Sequence, residues 1–158
     1  MTVTQLFKKL NFKQHKEILT LNHPSEFEAE LNAIKACTIV NTDVKNVDEI
    51  EFVLSFVKTQ EEINSITPLI DKKLKGDGIV WYAYPKKSSK KYKSEINRDN
   101  GWKILGDSGF EGVRQIAIDN DWSALRFRNE KLILRLPKRG KKRPKQPATN
   151  NGYKKLAD

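Results

Sequence analysis

Apolar residues along the chain fall into short runs that alternate with helical stripes. Leu6, Phe7 and Leu10 lie on one side of a short helix expected over 6–12. Ile18 to Leu21 is a β-like run that ends at Asn22-His23-Pro24, where proline lacks a donor and resists strand continuation. Ser25 and Glu28 have capping-box spacing, and Phe27, Leu31 and Ile34 follow at intervals of four and three. That spacing predicts a helix immediately after the strand. Thr38 to Val44 is a second strand candidate and Ile50 to Val57 a third. The third is almost uninterrupted in apolar character, as suits a strand covered on both faces. Ile63, Ile66, Ile70 and Leu74 form an amphipathic stripe over 60–74. Pro68 lies within it, so the helix is expected to kink or divide there, and Gly76-Asp77-Gly78 is expected to stop it. Ile79 to Tyr84 is the plainest strand, ending at Pro85. Ser94 can cap a helix from Glu95 to about Leu105. Val113 to Ile118 and Trp122 to Arg128 then read as a hairpin joined by Asp119-Asn120-Asp121.

Strands alternating with helices predict an α/β fold: a central, mostly parallel sheet flanked by helices, closed by a C-terminal antiparallel hairpin. There are no internal repeats. After Leu136 the composition turns to Pro, Lys, Arg, Gly and Asn, which buries too little apolar surface to order. The expected division is a single domain over 1–136 and a basic, disordered tail over 137–158.

Charge sharpens this division. The net charge is +10 over 158 residues. Between Pro137 and Lys155 there are eight Lys or Arg and no acid, and between Lys86 and Lys93 five lysines and no acid. Removing both leaves 10 − 8 − 5 = −3, so the body is mildly acidic and the basicity belongs to one loop and one tail. Mean hydropathy is −0.67, and no apolar run approaches the roughly 20 residues that cross a bilayer. The amino terminus carries no continuous apolar stretch of the kind a secretory signal has. A cytoplasmic protein is expected. The lone Cys37 excludes an internal disulfide and multi-cysteine zinc sites, and its setting before Thr38 to Val40 suits a core thiol. His15 and His23 have no second metal-ligand type at a recognisable spacing, so no metal and no cofactor are expected.

Several stretches resemble a bacterial family of uncharacterised small proteins: 8–12 (KKLNF), 18–24 (ILTLNHP), 52–59 (FVLSFVKT), 76–90 (GDGIVWYAYPKKSSK), 97–102 (NRDNGW) and 119–128 (DNDWSALRFR). The resemblance covers roughly Leu6 to Arg128, is most specific in YPKKSSK and WSALRFR, and implies no activity. Many members show a glycine-containing turn where this chain has Asn11 and Gln14-His15. A fainter likeness is to the latter half of class I methyltransferases, a three-layer, Rossmann-like layout. It implies S-adenosylmethionine bound by a glycine-rich loop after the first strand. The corresponding place here reads LNHPSEFE, with no glycine between Ile18 and Gly76. Without glycine the backbone cannot approach a cofactor closely there.

Candidate chemistry concentrates in the loop after strand 79–84. Ligands of open α/β sheets gather beyond the carboxyl ends of the strands, and the expected helix after the loop would favour an anion. Lys86, Lys87, Ser88, Ser89, Lys90 and Ser94 are the ligand-binding candidates, set against a plain solvated loop; a lysine cluster is not a phosphate-loop motif. Trp122, Arg126 and Arg128 share one strand face, which could stack or contact phosphate; packing of the tryptophan with the arginines reaching solvent is the preferred reading. Asp119 and Asp121 suit the turn rather than a catalytic pair. In the tail, Lys138, Arg139, Lys141, Lys142, Arg143 and Lys145 would attract nucleic acid in a salt-dependent way. The expected function is a non-enzymatic module binding an anionic small molecule, phosphate group or partner near 85–94. The alternatives are a non-specific nucleic-acid binder acting through the tail and a degenerate methyltransferase-like enzyme. No catalytic residues are assigned.

Overall fold

The computed structural model describes residues 3–134. The basic segment with Lys138, Arg139, Lys141, Lys142, Arg143 and Lys145 lies outside the described residues. Six strands form one sheet: β1 (Glu17–Leu21), β2 (Ile39–Asn41), β3 (Ile50–Phe56), β4 (Leu74–Pro85), β5 (Phe110–Ala117) and β6 (Trp122–Asn129). Their order is β2-β1-β3-β4-β6-β5. The first four are mutually parallel, and β6 runs antiparallel to both β4 and β5. The expected α/β class, with a mostly parallel sheet and a C-terminal antiparallel pair, is what the chain forms.

Side-chain alternation sorts the sheet into two faces. Phe52, Leu54 and Phe56 of β3, Ile79, Trp81 and Ala83 of β4, and Trp122 and Ala124 of β6 point to one core. It is covered by α1 (Gln5–Lys9) and α2 (Glu28–Ile34) through Leu6, Phe7, Leu31 and Ile34. Val53, Val80, Tyr82, Tyr84, Leu125 and Phe127 point to the other core, beneath α3 (Gln60–Lys73) and α4 (Lys103–Asp107). A period of two along strands buried on both faces produces the continuous apolar runs seen in the sequence. The Trp81 indole N–H, otherwise a buried orphan, donates to the Leu10 carbonyl at 2.9 Å and ties the end of α1 to the sheet. No helix among the described residues is long and apolar enough to cross a membrane.

Several local expectations are corrected. Ser25 and Glu28 form no capping box: Ser25–Phe27 is a 3₁₀ turn without a side-chain cap, and α2 starts only at Glu28. The Glu28 carboxylate is taken by His23 Nε2 at 2.6 Å and so does not reach back. The box lies at Thr59 and Glu62 instead, where each side chain accepts from the other's backbone N–H at the start of α3. Pro68 is accommodated inside one continuous α3. Gly76-Asp77-Gly78 is not a helix stop but the irregular opening of β4, where the register to β3 shifts. Gly78 is required there, since a Cβ would lie 2.9 Å from the Ile50 carbonyl oxygen. The strand expected over 38–44 shrinks to three residues, because Asp43 caps a 3₁₀ turn at Val44–Asn46. The first helix ends at Lys9 rather than residue 12. Asn11, at φ 68°, takes the left-handed conformation that asparagine tolerates better than most non-glycine residues.

The helix expected over 95–105 does not form. Ser94 turns its hydroxyl to Ile96, accepting from its N–H at 3.0 Å. Asn97 accepts from the N–H groups of Asp99 and Asn100, an Asx turn that competes with helix. Only the short α4 follows, from Lys103. The lysine loop therefore does not lead into a helix N-terminus, and the anion-favouring dipole expected there is absent.

Candidate functional site

The chain runs from β1 to β2 on one side of β1 and then to β3 on the other, so the topological switch point lies between β1 and β3. The carboxyl ends of these strands frame the crevice where open α/β sheets bind ligands. Here aromatic side chains occupy it. Phe27, just after β1, meets Phe56 at the end of β3 with ring centroids 5.0 Å apart. Phe56 meets Trp122 at 5.0 Å, and Trp122 meets Tyr92 at 4.9 Å. Phe27, Phe56 and Trp122 are each 4% exposed or less. Edge-to-face and tilted contacts at these separations pack well. Tyr92 lies beneath the ammonium groups of Lys58 and Lys91, 5.2 and 5.7 Å from its ring. Its hydroxyl donates to Glu26 at 2.6 Å. That bond holds the Glu26 carboxyl below its usual range and pushes the Tyr92 phenol up to about 12.

The turn after β1 carries no glycine: Asn22 takes φ 58°, His23 Nε2 lies 2.6 Å from the Glu28 carboxylate, and Phe27 is packed into the core.

A cleft of about 260 Å³ opens instead beyond the carboxyl end of β4, toward β6 and β5. Lys86, Lys87 and Arg98 line it with Asp99, and Tyr84 and Gln115 lie among its walls. Gln115 donates to the Tyr84 hydroxyl at 2.7 Å, which leaves the buried Gln115 Oε1 without a hydrogen-bond partner among the described residues. The Arg98 Nε is likewise buried and without one, although it stands 3.6 Å from Asp99. Burial pushes the Tyr84 phenol well up, so it stays neutral. The cleft thus offers three cations, Lys86, Lys87 and Arg98, beside the Asp99 carboxylate.

The six candidate residues divide. Lys86 and Lys87 line this cleft. Ser89 does not: its hydroxyl donates to Asp121 at 2.9 Å and accepts from the N–H groups of Lys91 and Tyr92. Ser94 donates to the carbonyls of Ile96 and Lys58. Both serines shape the loop. Ser88 and Lys90 stand exposed along it, outside the cleft lining. Sequence reasoning missed Arg98, Asp99 and Gln115, which are brought to the cleft by the Asx turn at Asn97 and by the β5–β6 pairing. The asparagines and aspartate of NRDN were the available signal for that turn. Asp119 serves its turn, accepting from the N–H groups of Asp121 and Trp122. Trp122 packs into the core, while Arg128 pairs with Asp77. Cys37 is half-buried against the α1–α2 core.

No family model matches this sequence, and no curated protein matches it either; the likeness to an uncharacterised bacterial family is therefore unsupported. Solved structures do match. An S-adenosylmethionine-dependent methyltransferase from Aquifex aeolicus aligns with TM-score 0.53 at 9% identity, over 79% of this chain and 88% of that one. The N-methyltransferase NodS from Bradyrhizobium japonicum aligns with TM-score 0.52 at 12% identity, over 79% and 92%. Phosphoethanolamine N-methyltransferase 2 of Haemonchus contortus gives 0.53 at 11% identity, over 79% of this chain and 36% of that one. At such identities the likeness is one of fold: the chain adopts the Rossmann-like α/β architecture of these methyltransferases.

Proposed function

We propose that this chain is a degenerate methyltransferase-like protein that binds a small anion in the cleft beyond β4 and holds no cofactor at the switch point. The observation that supports this reading is the aromatic column at the carboxyl ends of β1 and β3, where Phe27, Phe56, Trp122 and Tyr92 stand in contact. The fold likeness favours methyltransferase ancestry over an unrelated anion-binding module. Lys86 and Lys87 supply charge, and Arg98 supplies a planar donor fork suited to phosphate or carboxylate.

Calorimetric titration of the full chain with pyrophosphate tests the cleft. Saturable heat is expected, and K86A/K87A and R98Q should each weaken binding about tenfold, since a charge-assisted bond is worth roughly 1.5–3 kcal/mol. Unchanged affinity in both variants would remove the assignment.

Methyl transfer from S-adenosylmethionine is a second reading, favoured by the neighbouring structures, the first of which is described as S-adenosylmethionine-dependent. It requires Tyr92 and Phe27 to leave the crevice. Titration with S-adenosylmethionine separates the two: no heat is expected of the closed form.

A further inference from the structure

The opposite end of the sheet carries a feature that neither the cleft nor the crevice explains. Arg114 of β5 stands directly across the antiparallel pair from Arg126 of β6. The register shift between Gly112 and Arg114 brings them opposite. Like charges at directly opposed positions destabilise a sheet, and bulges commonly re-aim side chains beside functional sites. Arg128 lies two residues further on the same face, about 7 Å along the strand. Asp77 neutralises Arg128, with Nη2 2.5 Å from Oδ2 and Nε 3.1 Å from both carboxylate oxygens. Among the described residues Arg114 and Arg126 make no ion pair, and the buried Arg126 Nε has no hydrogen-bond partner there. Burial, chiefly, with the neighbouring Arg128 and Arg114, pushes the Arg126 guanidinium down, and Asp77 offsets this only in part; Glu111 stands across the pair from Arg128. A hollow of about 550 Å³ adjoins through Asp77; Lys13 lies on its rim, while Lys75 is paired with Glu49 and Glu51.

We propose that this arginine face binds the phosphate backbone of a nucleic acid. Arginine matches phosphate with a planar, bidentate fork, and an open two-strand surface suits an extended polyanion better than a small enclosed ligand. The large hydrophobics exposed among the described residues are Ile39 and Leu69, on other elements. The face therefore has no apolar anchor for a membrane and no exposed ring on which bases would stack, so contact is to phosphate and independent of sequence. Chain continuity supports the same partner. β6 ends at Asn129 and α5 (Glu130–Leu134) follows, and the stretch with eight Lys or Arg and no acid has its first base, Lys138, ten residues beyond Arg128. The assignment stands whether or not the cleft binds a small anion.

Fluorescence anisotropy of the full chain with a labelled oligouridine strand, over a salt series, tests it. Each phosphate contact to a single strand contributes about 0.7 to the slope of log K against log salt. R114Q/R126Q should lower the slope by about 1.4 and weaken binding about tenfold near 0.1 M salt. R114Q alone, at an exposed edge-strand position, should lower the slope by about 0.7 and keeps the test intact if the double variant does not fold. A wild-type slope in both variants overturns the proposal. So does binding to phosphatidylserine vesicles without binding to the strand.

Discussion

The Tyr92 hydroxyl donates to the Glu26 carboxylate at 2.6 Å, joining segments 66 residues apart and strapping the loop after β4 across the turn after β1. The strap closes the aromatic column over the switch point and holds the backbone that leads on toward the cleft. Replacing Tyr92 by Phe removes the bond but keeps the ring against Trp122. Because Glu26 faces solvent, the loss should be about 0.5–1 kcal/mol. Amide exchange in the loop over 86–100 should speed up more than exchange in β4. Equal protection in both proteins would show that the ring alone holds the loop.

The same pair gives the strap a pH window with two edges. Glu26 titrates below its ordinary value, so its contribution is present above the ordinary carboxylate range and is lost as pH falls through its lowered value. Tyr92 titrates above its ordinary value of 10.0, so its contribution is complete below that value and is lost as pH rises toward about 12. The difference in melting temperature between wild type and Y92F should be largest near neutrality and shrink at both extremes. A difference independent of pH contradicts the bond.

On the other face, Thr67 Oγ1 and the Tyr82 hydroxyl lie 2.7 Å apart, both buried, linking α3 to β4. Burial raises the Tyr82 phenol well above its ordinary range, so it remains neutral. Y82F leaves the Thr67 hydroxyl unsatisfied and should destabilise by about 1–3 kcal/mol in denaturant unfolding. The double variant Y82F/T67V removes both groups and should recover part of that loss, a coupling that a double-mutant cycle reads directly.

Gly101 adopts φ 104°, and a Cβ there would lie 2.4 Å from Ile96 Cγ2. G101A should destabilise by about 2 kcal/mol or more, combining backbone strain with overpacking. G106A, at a helical position with open space, should be neutral or stabilising by up to about 1 kcal/mol. Similar unfolding midpoints for the two variants would contradict the conformation of this turn.

The sheet was legible because burial on both faces leaves long apolar runs: Ile50 to Val57 and Ile79 to Tyr84 became β3 and the core of β4. The hairpin was legible because Asp119 caps its own turn. Segments decided by competition between hydrogen bonds were not. Ser94 looks like a helix starter, but its side chain bonds locally, and Asn97 three residues on holds an Asx turn instead of helix. Glu28 has the spacing of a capping box, but His23 takes it. The cleft was half legible. Lys86 and Lys87 announce themselves as charge, whereas Arg98 and Gln115 arrive from segments 11 and 28 residues beyond Lys87, positioned by pairing that no local pattern records.

The most direct measurement is a backbone amide NMR titration of the full chain, first with pyrophosphate and then with S-adenosylmethionine. Saturable shifts at Tyr84, Lys86, Lys87, Gln115 and residues 97–99 with pyrophosphate, and none over 21–28 with S-adenosylmethionine, are the expected result. Saturable shifts over 21–28 with S-adenosylmethionine would mean that Phe27 and Tyr92 yield the crevice to a cofactor, and would contradict the closed site.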